Sequence, residues 1–294
     1  MKWNNKFSYP KSSRSFENGL RKYLFGDEKL PSVTSILQAT KSEEDKASLE
    51  NWKQRVGHKE ANKINRMKWN NKFNYPKSSR SIENGFRKYL FGEEKLPSVT
   101  SILQATKSEE DKASLENWKE RVGHKEANRI KNEASSRGTS MHSYIEDFLR
   151  GRINDSFFEN NEQHIKMSKE IIDKGIKNKL EEIYGMETTL YYPEKYAGTA
   201  DLVGIYQGQE TIIDFKQANK PKKVDYIQDY FLQLGAYTLA HNIVYKTNIT
   251  LGVILLCTVD NLFQDFKIEG PELLMYQYLL LGRLKKFNEM NNLS

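Results

Sequence analysis

Ala197-Gly198-Thr199-Ala200-Asp201 and, beyond it, Ile212-Ile213-Asp214-Phe215-Lys216 are the two stretches whose reading decides the fold. Both are short apolar or β-rich runs, and Gln207-Gly208-Gln209 between them is a tight connection, so they read as neighbouring strands of a hairpin. Residues i and i+2 of a strand share a face, so Asp214 and Lys216 point the same way, beside Asp201 on the adjacent strand. Two carboxylates and an ammonium at paired strand ends suit a hard divalent cation, since Mg²⁺ takes one or two carboxylates and leaves room for water and phosphate. Such an ion polarises a phosphate and lowers the pKa of its bound water. Lys216 beside it is expected to have a depressed pKa and to position or deprotonate that water. Taken alone, Asp-x-Lys reads first as an exposed ion pair on a surface strand, since it occurs by chance on many.

The elements on either side extend the pattern. Downstream, residues 224–245 read as a helix with Gln233 and Tyr237 on one face at i and i+4. Leu251 to Thr258 is a fully apolar strand, Leu262 to Ile268 an alternating one, and 271–290 a closing helix. Upstream, Thr188 to Tyr192 is a further strand, alongside Thr199 to Tyr206 and Thr211 to Phe215. Residues 162–184 read as a long amphipathic helix carrying Ile165, Ile171, Ile172, Ile176 and Leu180. Residues 134–150 are predicted helical, with Met141, Tyr144, Ile145 and Phe148 on one face and Gly151 ending the run. That helix carries His142, with Glu146 one turn on; taken alone, a single His there is usually structural. Pro97-Ser98-Val99-Thr100-Ser101-Ile102-Leu103 looks like a capped helix start. Ser108 with Asp111 caps a helix to about Ile130, and Tyr75 to Ser81 reads as an irregular basic loop, like its twin Tyr9 to Ser15. The order α-α-β-β-β-α-β-β-α predicts an α/β fold, a mixed central sheet flanked by helices with an N-terminal helical region.

Residues 1–66 recur as 67–132 with eight differences, among them Ser8/Asn74, Phe16/Ile82, Leu20/Phe86, Asp27/Glu93 and Gln54/Glu120. No third copy follows, and the second runs directly into Glu133-Ala134-Ser135-Ser136-Arg137-Gly138. The expected organisation is therefore an appended segment 1–66, a helical segment 67–132 and a core of 133–294. Met67 would start a 228-residue product, and the first copy is either a functional addition, one that packs elsewhere or swaps onto another molecule, or a duplication or assembly scar. Removing residues 1–66, with 14 Lys+Arg against 8 Asp+Glu, lowers the formal net charge from +7 to +1. Much of the basic character is one segment counted twice, while 133–294 is acidic, with 18 Lys+Arg against 22 Asp+Glu. Basic flanks around an acidic core fit capture of a polyanion beside a metal site.

The composition excludes several classes. No run approaches the ~18 apolar residues of a membrane span. Met1-Lys2-Trp3-Asn4-Asn5-Lys6 has no apolar leader, and the one cysteine, Cys257, reads as a small buried residue, so a reducing cytoplasm is the expected setting. One cysteine also excludes an iron–sulfur nuclease.

Gly198-Thr199-Ala200-Asp201, Ile213-Asp214-Phe215-Lys216 and Gln233-x-x-x-Tyr237, with the His142 helix upstream, resemble the RecB-like branch of the PD-(D/E)XK nucleases, whose fold is restriction-endonuclease-like. Leu96 to Leu103, Trp118-Lys119-Glu120-Arg121 and Arg137-Gly138-Thr139 narrow the resemblance to the mitochondrial genome maintenance exonucleases and related exonucleases of marine bacteriophages, over about residues 92–285. The resemblance implies a deoxyribonuclease dependent on Mg²⁺ or Mn²⁺ that degrades single-stranded DNA from its ends, in phage or genome DNA processing. By resemblance, His142, Asp201, Asp214 and the Phe215 carbonyl bind the ion, and Lys216 is catalytic. Gln233 and Tyr237 orient Lys216 or the DNA, Glu187 is a supporting carboxylate, and Ser98, Thr100 and Arg137 meet backbone phosphates. Trp118 either stacks on a base or packs in the core. The rival readings are a structure-specific or double-strand endonuclease on the same core and a non-catalytic DNA-binding recombination accessory protein.

Overall fold

The computed structural model describes residues 68–91, 93–153 and 162–291, together with the backbone of three strands nearer the N-terminus. The chain divides into two compact units, Met1–Lys63 and Ile64–Ser294. In the first, β1 (Ser13–Glu17), β2 (Leu20–Phe25) and β3 (Glu28–Pro31) form an antiparallel sheet in which Ser13 pairs with Leu24. The helices expected in that copy lie outside the described residues.

In the second unit, β4 (Lys68–Trp69) is followed by a sheet of β5 (Ser79–Glu83), β6 (Phe86–Phe91) and β7 (Glu94–Pro97). Its register, Ser79 with Leu90, is that of the first copy displaced by one repeat, so the repeated sequence builds the same sheet twice. The sequence reading places no strand among residues 67–97, and the expected loop ends at Ser78. The signal for the turn is Asn84-Gly85, with φ of 50° and 79°, the left-handed pair that a two-residue hairpin requires.

Helices α1 (Val99–Ala105), α2 (Glu109–Val122) and α3 (His124–Leu149) follow. Ser98 caps α1 by accepting the Ser101 N–H, and Ser108 caps α2 by accepting that of Asp111. The helix expected to reach Ile130 stops at Val122 because Gly123 takes φ 86°; α3 then starts ten residues earlier than expected. Its end is as read, with Arg150 at the cap and Gly151 at φ 67°.

Helix α4 (Gln163–Ile171) continues as a π turn, Ile172–Ile176, and ends there. The helix expected to run to residue 184 is broken by Asn178, at φ 61°, and Leu180 instead opens the long strand β8 (Leu180–Tyr192). Strands β9 (Tyr196–Tyr206) and β10 (Gln209–Ala218) form the expected hairpin. Helix α5 (Gln228–Tyr245), strands β11 (Leu251–Thr258) and β12 (Phe263–Glu269), and helix α6 (Gly270–Met290) complete the chain.

The main sheet has the order β12-β11-β10-β9-β8-β4. Pairs β10/β11 and β4/β8 are parallel and the rest antiparallel, so the sheet is mixed. Alternating residues feed two cores. Val203, Ile212, Ile254 and Leu256 face Leu234, Ala236, Leu280 and Leu284 of α5 and α6. Leu202, Ile213, Val253 and Leu255 face Met141, Ile145, Ile171 and Ile172 of α3, α4 and the π turn. Strand β11, covered on both faces, is buried at every position, as its unbroken apolar run predicts. This is an α/β fold with a mixed central sheet flanked by helices. No described helix is long and apolar enough to cross a membrane.

Candidate active site

The β9/β10 ladder runs from Gln209 with Tyr206 to Ile213 with Leu202 and stops. Its next rung would pair Asp214 with Asp201. Instead, the Asp201 side chain takes over as partner, its Oδ2 accepting the Phe215 N–H at 2.7 Å. On the other side of β9, the β8 register passes from Met186 with Leu202 to Thr188 with Ala200, which sets Glu187 across from Asp201. Three adjacent strands thus bring Glu187, Asp201 and Asp214 to one level of the sheet. Glu187 holds φ at 49°, a left-handed conformation costly for a non-glycine residue and concentrated at functional sites.

His142 reaches this level from α3. Its Nε2 lies 2.8 Å from the Phe215 carbonyl oxygen, which only accepts, so Nε2–H donates. That leaves Nδ1 facing Asp201 Oδ1 at 3.7 Å and Glu187 Oε1 at 3.9 Å. Lys216 shares the Asp214 face, as the strand period predicts, and its Nζ pairs with Asp214 Oδ2. It also lies 5.1 Å from the centroid of the Tyr230 ring.

The charges are concentrated and mostly out of water. Burial, reinforced by Asp214, pushes the Asp201 carboxyl up to about 7. Burial would lower the His142 pKa, but the Asp201 and Glu187 carboxylates prevail and raise it to about 9. Lys216 departs from expectation: burial alone would depress it, yet Asp214 and Asp201 outweigh burial and hold it above the ordinary lysine range. Its ammonium is the counter-ion of two buried carboxylates, and that pairing favours the charged form.

The donor set fits a hard divalent cation. His142, Glu187 and Asp201 each offer a ligand atom, all within 4.8 Å of one another. Both Asp214 oxygens are buried without a hydrogen bond of regular geometry, so Lys216 meets Oδ2 only as an ion pair.

Gln233 and Tyr237 lie together on α5, with Gln233 Nε2 donating to Tyr237 Oη at 2.9 Å. Tyr237 is buried, and burial with the Asp214 charge holds its phenol well above its usual range. Arg137 is tied to the end of β10: its Nε and Nη2 donate to Gln217 Oε1 at 3.0 and 2.8 Å, and Nη2 also to Asn219. Ser98 is buried, and its hydroxyl is engaged with Ser101 and Thr100 at the start of α1. Thr100 is exposed, and Trp118 is half-buried on α2. The sequence reading gave Glu187 only a supporting place, and the signal that raises it, its register opposite Asp201, is not local. It omitted Gln217, Tyr230 and Arg80. Arg80 Nη2 and Tyr89 Oη both bond Thr199 Oγ1, at 2.9 and 3.0 Å, fastening the small sheet two residues from Asp201.

The chain is similar to proteins named mitochondrial genome maintenance exonuclease 1. It is 28% identical to that of Mus musculus over 173 residues, 29% to that of Xenopus tropicalis over 182, and 27% to that of Homo sapiens over 178. Each match covers 56% of this chain, and the chain spans about half the length of these curated relatives. A solved structure described as a candidate exonuclease from Eubacterium rectale is 13% identical, with a TM-score of 0.35 over 53% of this chain and 67% of that one. No family profile matches the chain.

Proposed function

We propose that this chain is a divalent-metal-dependent deoxyribonuclease of the PD-(D/E)XK type that removes nucleotides from the ends of single-stranded DNA. The observation that carries the reading is the level at which Glu187, Asp201 and Asp214 meet His142 and Lys216. The curated relatives, named as exonucleases, support the same class.

His142, Asp201, Asp214 and the Phe215 carbonyl would hold Mg²⁺ or Mn²⁺, with Glu187 as a further carboxylate. A bound ion there supplies Lewis-acid polarisation of the phosphate and a more acidic water. The chain's own groups do the rest. Lys216, kept charged by its carboxylate neighbours, donates to a non-bridging phosphate oxygen where negative charge grows. Glu187, with a side chain 41% exposed, faces solvent and accepts a proton from the attacking water at its carboxylate oxygen. Tyr237, fixed by Gln233, is buried near the Asp214 charge and adds to the low-dielectric surroundings of the site.

The test is purified protein with Mg²⁺ or Mn²⁺ and end-labelled single- and double-stranded DNA, with products followed over time. Release of short products from single strands, abolished by EDTA and by Lys216→Ala, is expected. Cutting of a covalently closed single-stranded circle would replace the exonuclease reading with an endonuclease on the same core.

A further inference from the structure

Along its N-terminal part helix α6 is apolar around its circumference, yet the described residues cover one side of it. Inward, Leu273, Tyr276, Leu280, Leu284 and Phe287 enter the core, and Gln277 Nε2 donates to Thr238 Oγ1 at 3.1 Å. Outward, Leu274, Met275, Tyr278, Leu279 and Leu281 stand 38–77% exposed. Beyond them the same side turns charged, with Lys285, Lys286 and Glu289. A helix apolar all round is ordinarily buried all round, and an apolar patch rimmed by charge marks a contact surface.

A glycine lies in the middle of this face. Helical spacing puts Gly282 in line with Tyr278 and Met275, four and seven residues before it. Glycine inside a helix is destabilising. Elsewhere in this fold such glycines serve close packing: a Cβ on Gly138 would meet Gln217 at 3.5 Å, one on Gly175 would meet Leu255 at 2.9 Å, and one on Gly235 the α6 backbone at 3.0 Å. Among the described residues, a Cβ on Gly282 would meet nothing within 4 Å. The gap it leaves faces outward, where it admits the close approach of a second helix.

We propose that α6 is the interface of a homodimer, in which two copies of the helix pack antiparallel about a two-fold axis near Tyr278. The occupant is a second copy because the face complements itself. Antiparallel packing sets Leu274 against the partner's Leu281, Met275 against the partner's Gly282 and Glu272 beside the partner's Lys286. Apolar surface then meets apolar surface, the glycine receives a long side chain, and opposite charges close both ends. Parallel packing would instead set Glu272 against the partner's Glu272. The five exposed side chains present about 500 Å² of apolar surface, so two copies cover about 1,000 Å², where specific interfaces begin. No residue of the face belongs to the candidate active site, so each copy keeps its own.

The experiment is sedimentation velocity of the full chain in EDTA from about 1 to about 100 μM, with the melting temperature of every variant recorded. Wild type is expected to pass from 34.3 kDa toward twice that mass as concentration rises. Tyr278→Lys should weaken association at least about 30-fold. Gly282→Leu should weaken it about 10-fold, yet melt no lower than wild type when both are dilute, since leucine is the better helix former and has open space there. Glu272→Lys and Lys286→Glu should each weaken it, and the two together should recover most of the loss. Only a pair between chains allows that recovery, because the two residues lie about 21 Å apart along one helix. On mild oxidation Tyr278→Cys should give a covalent dimer and Met290→Cys should not, Cys257 being buried. A wild type that stays monomeric throughout leaves the face to residues 1–66 or to another protein and overturns the proposal, as does a dimer indifferent to these folded variants. Cross-linking through Met290→Cys in place of Tyr278→Cys overturns the antiparallel pairing.

Discussion

Gly198 and Tyr237 occupy one space. A Cβ built on Gly198 would sit within 3 Å of the Tyr237 hydroxyl, closer than real Cβ contacts come, against a ring held in place by Gln233. The glycine three residues before Asp201 is thus required by a residue on a helix far along the chain. Gly198→Ala should cost about 1–3 kcal/mol, the usual penalty for overpacking, and lower nucleotide release. Adding Tyr237→Leu should restore the melting temperature without restoring turnover.

Glu187 spends backbone energy to stand opposite Asp201, at φ 49°. Glu187→Gly removes a strained conformation worth of order 1 kcal/mol, so the melting temperature should hold or rise. Turnover and metal affinity should fall, read by initial rates against Mn²⁺ concentration. A variant that is both stable and fully active would remove Glu187 from the site.

The site should make the metal-free protein less stable as pH rises. His142 has a folded pKa of about 9, above the ordinary 6.5, so its contribution is complete below 6.5 and lost on passing 9. Asp201, at about 7 against 3.8, works in the same direction between those values, because the native state holds the proton longer. In EDTA, thermal melts from pH 5 to 9 should show this decline, and His142→Gln should flatten its upper part. Added Mg²⁺ should raise the melting temperature most at the alkaline end, and Asp214→Asn should lose that response.

His241 carries the opposite sign. It is fully buried among Phe73, Tyr75 and Tyr245, with Nδ1 2.8 Å from Thr247 Oγ1 and Nε2 3.1 Å from Tyr75 Oη. Burial pulls its pKa down to about 4, so between 6.5 and 4 the unfolded chain binds a proton that the native chain refuses. Stability should fall across that acidic window by of order 3 kcal/mol at most. A His241→Gln variant should lack this acid-induced loss in denaturant titrations at pH 7 and pH 4.5.

The duplicated sequence allows a direct comparison. The second unit spans Ile64–Ser294 and holds every site residue, so a chain begun at Met67 should fold and cut like the full chain. Insolubility or a large drop in specific activity would make residues 1–66 integral.

Local rules were enough for much of this protein. The strand period placed Asp214 and Lys216 on one face, the apolar run of Leu251–Thr258 marked a strand covered on both sides, and helical spacing joined Gln233 to Tyr237. A hydroxyl ahead of an apolar run located the start of α1, and Ser108 three residues before Asp111 that of α2. Each is a relation between residues a few positions apart, which a sequence displays directly. The tertiary structure decided the rest. Leu180 and Ile183 continue the helical spacing of the segment before them, and only pairing with β9 makes them strand and brings Glu187 opposite Asp201. The sequence shows Lys216 beside Asp214, but not that two buried carboxylates would raise its pKa instead of burial lowering it. Register joins residues far apart in sequence, and a charge state is set by whatever surrounds the group; both exist only once the chain has closed on itself.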